Sequence, residues 1–403
     1  MSKQIVFCAD GTWNGSGSDE EEPGPPTNVL KLFHNLAGVD SLDTITLANE
    51  QERFLTDANG GVLQAAKYLH GVGDSNNALV KALGGAVGTG LIARVIRGYT
   101  FVSRQYEPGD RIHLVGFSRG AYTARALAGM IASQGLLDPA FTDLQDKQAA
   151  YRLGAAAWSD YRRGALDGDA TLLAKLEDVL TSLPGFFSAR SGNPPRRTGI
   201  RIATVAVWDT VGSLGIPQIG ANGELLDALQ FADTRLSPAV ECGLHAIAID
   251  ERRRNFTPCL WTADARATQV LFPGSHADVG GGYPNTPEES GLSDAALAWM
   301  TAGVTAQGVQ FMSPLPAEPR PHAAAVAHTP WAHLPWRALG VAPRVNPGQM
   351  PEGLLVHRSV IDRWREEAVV HDPDQAAQPY RPDNLALYLD LASGTALADI
   401  EII

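Results

Sequence analysis

Arg111-Ile-His-Leu-Val-Gly-Phe-Ser-Arg-Gly-Ala-Tyr-Thr-Ala-Arg-Ala-Leu-Ala-Gly-Met-Ile131 holds a strand, a tight turn and a helix in immediate succession. Ile112, Leu114 and Val115 make a short apolar strand, and from Ala121 small and apolar residues return at helical spacing (Ala124, Leu127, Ala128, Ile131). Between them lies Gly116-Phe-Ser-Arg-Gly120, a G-x-S-x-G. In a strand–turn–helix context this motif reads as a nucleophile elbow: the serine takes strained backbone angles, and the two glycines let the turn pass close to its neighbours. Ser118 is the candidate nucleophile. The Arg119 backbone N–H, at the positive end of the following helix, is a candidate oxyanion donor.

A serine nucleophile needs a base and an orienting acid. Working outward, residues 199–208 form a second buried strand that delivers Asp209 in Asp-Thr-Val-Gly212. A carboxylate at the carboxyl end of a core strand, downstream of the nucleophile, is the expected triad acid. Residues 267–272 form a further core strand and run into Pro273-Gly-Ser-His-Ala-Asp-Val-Gly-Gly-Gly-Tyr283, which puts His276 in a glycine-rich loop. The order Ser118, Asp209, His276 is that of α/β-hydrolases. Asp278 is the competing carboxylate; its other roles are to shape the loop or to join Asp10 in a secondary cation site. Gln4-Ile-Val-Phe-Cys-Ala9 is a compact strand ending in Asp10-Gly-Thr12, where the Gly11 and Thr12 amides can complete an oxyanion hole or close an Asx turn.

The whole chain narrows these readings. Its 403 residues suffice for one large α/β domain with insertions, and 44% hydrophobic with 19% charged residues describe a folded core. A formal net charge of -12 argues against nucleic acid and against general attraction to anionic membranes. Cys8, Cys242 and Cys259 give neither metal spacing nor a disulfide framework, which suits a reducing cytoplasm. The N-terminus enters a strand without a signal-peptide core, and no apolar run reaches transmembrane length. A cytoplasmic protein as synthesised is therefore expected, needing no metal and no cofactor for its chemistry.

The remaining stretches fill in the architecture. Residues 16–26 are an acidic, Pro-rich loop, and 27–36 an amphipathic helix capped by Thr27. Residues 44–55 are ambiguous between strand and loop, and 67–73 read as a short strand. Gly88-x-Gly90-x-x-Ala93 matches a relaxed dinucleotide fingerprint, but what precedes it reads as helix, and no acidic residue follows at the ribose-binding distance. A glycine-rich helix entry is the better reading. Residues 138–198 are expected as a helical cap over the active face, with Trp158, Phe186 and Phe187 offering an apolar acyl pocket. Residues 243–254 fit helix or strand, and Asp250, Glu251 and Arg252 to Arg254 read as a surface or interhelix ion-pair cluster, with phosphate reading by one arginine as the alternative. Residues 313–403 form a Pro-rich extension packing on the core, in which His322, His328 and His333 read as loop residues without a metal face. The expected fold is a single α/β-hydrolase domain, a mostly parallel sheet with helices on both faces and a helical cap.

Several strings occur together in order: Phe7-Cys-Ala-Asp-Gly-Thr-Trp-Asn14, Gly71-Val-Gly73, Gly116-Phe-Ser-Arg-Gly-Ala121, Trp208-Asp-Thr-Val-Gly212, His245-Ala-Ile-Ala-Ile-Asp-Glu-Arg-Arg253 and the loop 273–283. They resemble the DUF2235-type α/β-hydrolase domain family, which includes the type VI secretion phospholipase effectors of the Tle1 type. The resemblance implies Ser118, Asp209 and His276 as a triad, an ester or lipid substrate with transient membrane-surface contact, secretion-system or immunity-protein partners, and delivery outside the cell by a signal-less route. Residues and resemblance together predict a serine esterase or lipase, favouring medium-chain esters over intact phospholipid. Three other readings compete: a dedicated antibacterial phospholipase effector, a catalytically silent interaction module, and a Rossmann-type NAD(P)-binding oxidoreductase.

Overall fold

The computed structural model describes residues 2–11, 24–44, 50–71, 86–165, 194–211, 234–334, 336–341, 353–382, 385, 389–390, 395–396 and 401–403. The first strand, β1 (Gln4–Ala9), is buried along its whole length. Its side chains divide by the strand period of two: Ile5, Phe7 and Ala9 enter one apolar cluster, Val6 and Cys8 another. Such two-sided burial is what a central parallel strand demands.

In chain order there follow α1 (Asn28–Asn35), β2 (Val39–Asp40), β3 (Glu50–Thr56), β4 (Val62–Leu69), α2 (Ala86–Gln105), β5 (Arg111–Phe117), α3 (Arg119–Gln134), β6 (Leu136–Leu137), α4 (Lys147–Ala165), β7 (Arg196–Arg197), β8 (Ile202–Trp208), β9 (Val240–Ala248), β10 (Ala267–Phe272), α5 (His276–Gly280), α6 (Pro287–Ala306), β11 (Leu354–Val356) and α7 (Arg358–Arg365). Nine strands form one sheet in the order β11-β10-β9-β8-β5-β1-β4-β3-β2. From β11 to β4 every pairing is parallel, and β3 and β2 close the far edge antiparallel. The ambiguous stretches thus resolve as strands: 50–56 is β3, and 240–248 is β9, its last six residues all buried.

Helices α2, α3 and α4 cover one face, where Ile96, Tyr99, Leu127 and Trp158 join Ile5 and Phe7. Helices α1 and α6 cover the other with Leu32, Phe33, Leu297 and Met300. Thr27 caps α1 as expected, its Oγ1 accepting from Leu30 N at 3.1 Å, and the buried Lys31–Asp294 ion pair (2.9 Å) ties α1 to α6. Within the stretch expected as a cap, α4 is a member of this helical layer. Trp158, fully buried against α2 and α3, belongs to the core and not to an acyl pocket. Phe186 and Phe187 lie outside the described residues. The glycine-rich segment is helical, opening α2, and its fingerprint glycines meet no preceding strand within the described residues.

The C-terminal extension is built into the fold. β11 adds an edge strand beside β10, and a third apolar cluster joins Ile247 and Leu271 to Val356, Val360, Ile361 and Tyr380. Arg363 of α7 is fully buried, and its guanidinium donates to the carbonyls of Ala323, Ala325 and Val370 at 2.7–2.9 Å.

Candidate active site

At the carboxyl end of β5, Ser118 adopts φ 57° and ψ −121°, a conformation that costs a non-glycine residue about 1–3 kcal/mol. Close packing holds it there. A Cβ on Gly116 would lie 2.4 Å from Gly120 O, and one on Gly120 would lie 2.0 Å from Ala9 O. The elbow therefore presses against the end of β1, and only glycine fits at either flank.

Strand β8 lies beside β5 with Trp208 opposite Phe117, so Ser118 and Asp209 leave neighbouring strands at one level. Ser118 N–H donates to Trp208 O at 3.1 Å. Asp209, fully buried with φ 34°, is pinned on its other side by β9: its N–H donates to Ala246 O (2.7 Å) and its Oδ1 accepts from Ala248 N (3.0 Å). Its Oδ2 accepts from His276 Nδ1 at 2.5 Å. With Nδ1 carrying the proton toward the carboxylate, Nε2 is left as the basic nitrogen. Burial lowers the pKa of His276 below its ordinary value, and the Asp209 bond offsets only part of that. The imidazole rests neutral at pH 7, the state in which it can take a proton.

Two rings fix the imidazole. Phe117, next to Ser118, lies 4.5 Å from the imidazole between centroids, and Phe256 meets it edge-on at 4.9 Å. Phe256 is covered in turn by the Arg253 guanidinium at 3.5 Å, which also lies over Trp336 at 4.9 Å. Glu251, fully buried, binds Arg253 through both carboxylate oxygens (2.9 and 2.7 Å) and accepts from His276 N at 3.2 Å.

The model of the T6SS phospholipase effector Tle1-like catalytic domain matches residues 3–303. The chain belongs to this family. It is also 30% identical over 260 residues to the uncharacterized protein YEL023C of Saccharomyces cerevisiae, covering 64% of this chain and 33% of the yeast protein. Among solved structures it is similar to the Tle1 effector bound to the VgrG spike of the type 6 secretion system (16% identity, TM-score 0.37, 70% of this chain and 51% of that one). It is likewise similar to an uncharacterized protein from Pseudomonas aeruginosa (18% identity, TM-score 0.41, 80% and 49%). The chain spans about a third of the yeast relative and about half of each solved chain.

In this Tle1-like domain the other sequence candidates fall as follows. Gly11 is adjacent to the elbow, its Cβ position 3.3 Å from Ser118 Cβ, but its N–H donates to Asp10 Oδ1 at 2.6 Å. Serving an oxyanion requires that bond to open or be shared. Arg119 N–H opens α3 at the positive end of the helix, and Thr12 lies outside the described residues. Asp10 Oδ2 accepts from Tyr68 OH (2.6 Å) and Thr27 Oγ1 (2.7 Å). Asp278 accepts from Ser275 N (2.8 Å), from His328 N (3.0 Å) and from His328 Nδ1 (2.7 Å). Both carboxylates are thus taken up by protein donors, and no His/Cys/Asp/Glu cluster of metal-binding geometry joins them among the described residues. His333 does lie within such reach of Asp372 and Asp374, but Asp372 is filled by Thr329 Oγ1, His333 Nε2 and the Asp374 amide.

Within the expected ion-pair cluster Glu251 is fully buried, while Arg254 is exposed. Glu251 and Arg253 hold the histidine, while Asp250 accepts from Gly274 N (2.7 Å) and Tyr380 OH (2.6 Å) and so staples the histidine loop to the C-terminal extension. The signal was present: an acidic pair closing an inner strand, one strand beyond the one that delivers Asp209. The rings of Phe117, Phe256 and Trp336 left no such trace, because a ring contact such as Phe117 on His276, 159 positions apart, has no local pattern.

Proposed function

We propose that this chain is a serine ester hydrolase of the lipase and phospholipase type, working through Ser118, His276 and Asp209. The observation that carries the reading is the buried Asp209–His276 bond at the strand ends beside a serine held in a positive-φ elbow. Ser118 Oγ attacks the ester carbonyl carbon while His276 Nε2 takes its proton; Asp209 holds the imidazole and stabilises the imidazolium. The tetrahedral oxyanion is received by Arg119 N–H, with Gly11 and Thr12 as the second side. As the intermediate collapses, the imidazolium gives its proton to the leaving alkoxide, leaving an acyl-serine. Water, deprotonated by the same nitrogen, then releases the acid and restores Ser118.

Membership in a phospholipase-effector family favours acyl esters of lipids as the substrate class and export through a contact-dependent secretion machine as the setting. No helix among the described residues is long and apolar enough to cross a membrane. Lipid contact in this reading is a surface encounter. The test is a fluorophosphonate probe with a panel of esters from acetyl to medium-chain and of phospholipid vesicles, run on the wild type and on Ser118→Ala. One adduct per chain, at Ser118, and at least about a thousandfold loss of hydrolysis in the folded variant are expected. Adduct formation at another serine overturns the elbow assignment. Acetyl as the best ester, with intact vesicles untouched, overturns the lipid class and leaves the hydrolase.

A further inference from the structure

A cavity of about 390 Å³ opens between the β3–β4 edge and helices α2 and α4, away from the strands that carry Ser118, Asp209 and His276. Its wall holds five cationic side chains, Lys67, Arg97, Arg104, Lys147 and Arg152, against the single carboxylate of Glu50. That balance reverses the composition of the chain, which has 44 acidic and 32 basic residues. The cations are only partly answered. Buried Lys67 pairs with Glu50 and with Glu52 (2.8 Å), and Arg97 reaches Glu50 at 3.4 Å. Arg104 gives its Nε–H to the Leu144 carbonyl at 2.9 Å. Among the described residues no carboxylate stands within ion-pair distance of Arg104, Lys147 or Arg152. Burial alone would push the Glu50 pKa up; Lys67, Arg97 and Lys147 hold it below the ordinary value, a sign of the positive potential in the cavity. Phe101, with Lys67 Nζ 5.7 Å from its ring centroid, and Tyr151 supply aromatic wall between the charges.

We propose that this cavity binds a phosphate-bearing anion, its phosphoryl oxygens taken by Arg97, Lys147 and Arg152 and its organic part lying along Phe101 and Tyr151. Guanidinium and ammonium groups in a partly enclosed site are the usual receptors for phosphoryl oxygens. The volume is that of a small-molecule pocket and exceeds what one inorganic phosphate fills, which points to a phosphate ester. The same headgroup chemistry belongs to a soluble ester and to an anionic phospholipid at a bilayer surface. The site shares no residue with the triad, so the proposal does not rest on the hydrolase reading.

The test is titration calorimetry of the full chain with inorganic phosphate and with glycerol 3-phosphate at fixed ionic strength. In parallel, the chain is co-floated with phosphatidylcholine vesicles with and without phosphatidic acid. Both arms are run on wild type, Lys147→Gln/Arg152→Gln and, separately, Arg97→Gln. Saturable binding of glycerol 3-phosphate at one site, weakened at least tenfold in the double variant and weakened by salt, supports a soluble ligand. Flotation only with phosphatidic acid, lost in the same variant, supports the headgroup of a lipid. Far-UV circular dichroism and thermal melts unchanged in the variants certify their fold. Absence of binding in both arms, or binding indifferent to all three substitutions, overturns the proposal.

Discussion

The two aspartates that compete for the histidine are separated by their partners. Asp209 Oδ2 is bonded to His276 Nδ1, whereas Asp278 faces Ser275 and His328. Asp209→Asn should therefore cost on the order of 10³ to 10⁴ in kcat, because the amide favours the wrong imidazole tautomer. Asp278→Asn should leave kcat within about tenfold and lower the melting temperature instead, since a buried acceptor of three bonds is weakened. Steady-state kinetics and thermal melts on the two variants decide; a reversed ranking reassigns the acid. The lowered pKa of His276 sets the pH profile. The base works neutral, so kcat/KM should rise with pH to a plateau whose midpoint lies below the ordinary 6.5. A midpoint above 7 would contradict the dominance of burial. At this scale the candidates for the proposed triad were legible because Ser118 and Asp209 directly follow the apolar strands β5 and β8, and His276 opens α5 four residues after β10. Glu251 left only the weaker signal of an acidic pair following β9, because its partners His276 and Arg253 are brought together by the fold.

Among the elements, the elbow and the short helix α5 carry the most constraint. Gly120→Ala would place a methyl 2.0 Å from the carbonyl oxygen of Ala9, a backbone atom that cannot step aside without moving β1. A loss of at least about 3 kcal/mol, or no soluble protein, is expected by chemical denaturation. A soluble variant of wild-type stability would mean that β1 yields. α5 is tied to the C-terminal extension by His328, which bridges Asp278 and Glu289 (3.1 Å) and stacks on Tyr283 at 3.4 Å between centroids. Burial opposes its charge, but Asp278 and Glu289 prevail and raise its pKa above 6.5. A raised histidine stabilises fully below its unfolded pKa and loses that contribution as pH rises through the folded one. His328→Gln should thus lower the melting temperature more at pH 5.5 than at pH 8.5; an equal loss at both would show that the neutral ring does the holding. In the sequence His328 is an ordinary loop residue, since neither acidic partner is its neighbour in the chain.

Across the whole molecule the family match ends at residue 303, yet the sheet does not. β11 and α7 cover the outer side of β10, and Tyr380 reaches back to Asp250. A chain cut after residue 312 should aggregate or melt far below the full chain, because it bares the apolar edge of Ile247, Ile249 and Leu271. Analytical gel filtration and thermal melts check this; a monomeric, stable fragment would show the extension to be dispensable. The parallel sheet was legible from its buried apolar runs. The strand order was not, since pairing partners lie far apart in sequence and only the finished packing selects them. That order bears on how the protein is made. β1 is synthesised before the other strands of the sheet but belongs in the middle, between β4, which starts at Val62, and β5, which starts at Arg111. Until both have been synthesised, Ile5-Val-Phe-Cys-Ala9 is an unpaired apolar strand with open hydrogen-bonding edges, the kind of segment on which nascent chains associate wrongly. The centre of the molecule is completed by residues that arrive roughly a hundred positions after it, and over that interval the newborn chain depends on chaperones or on speed.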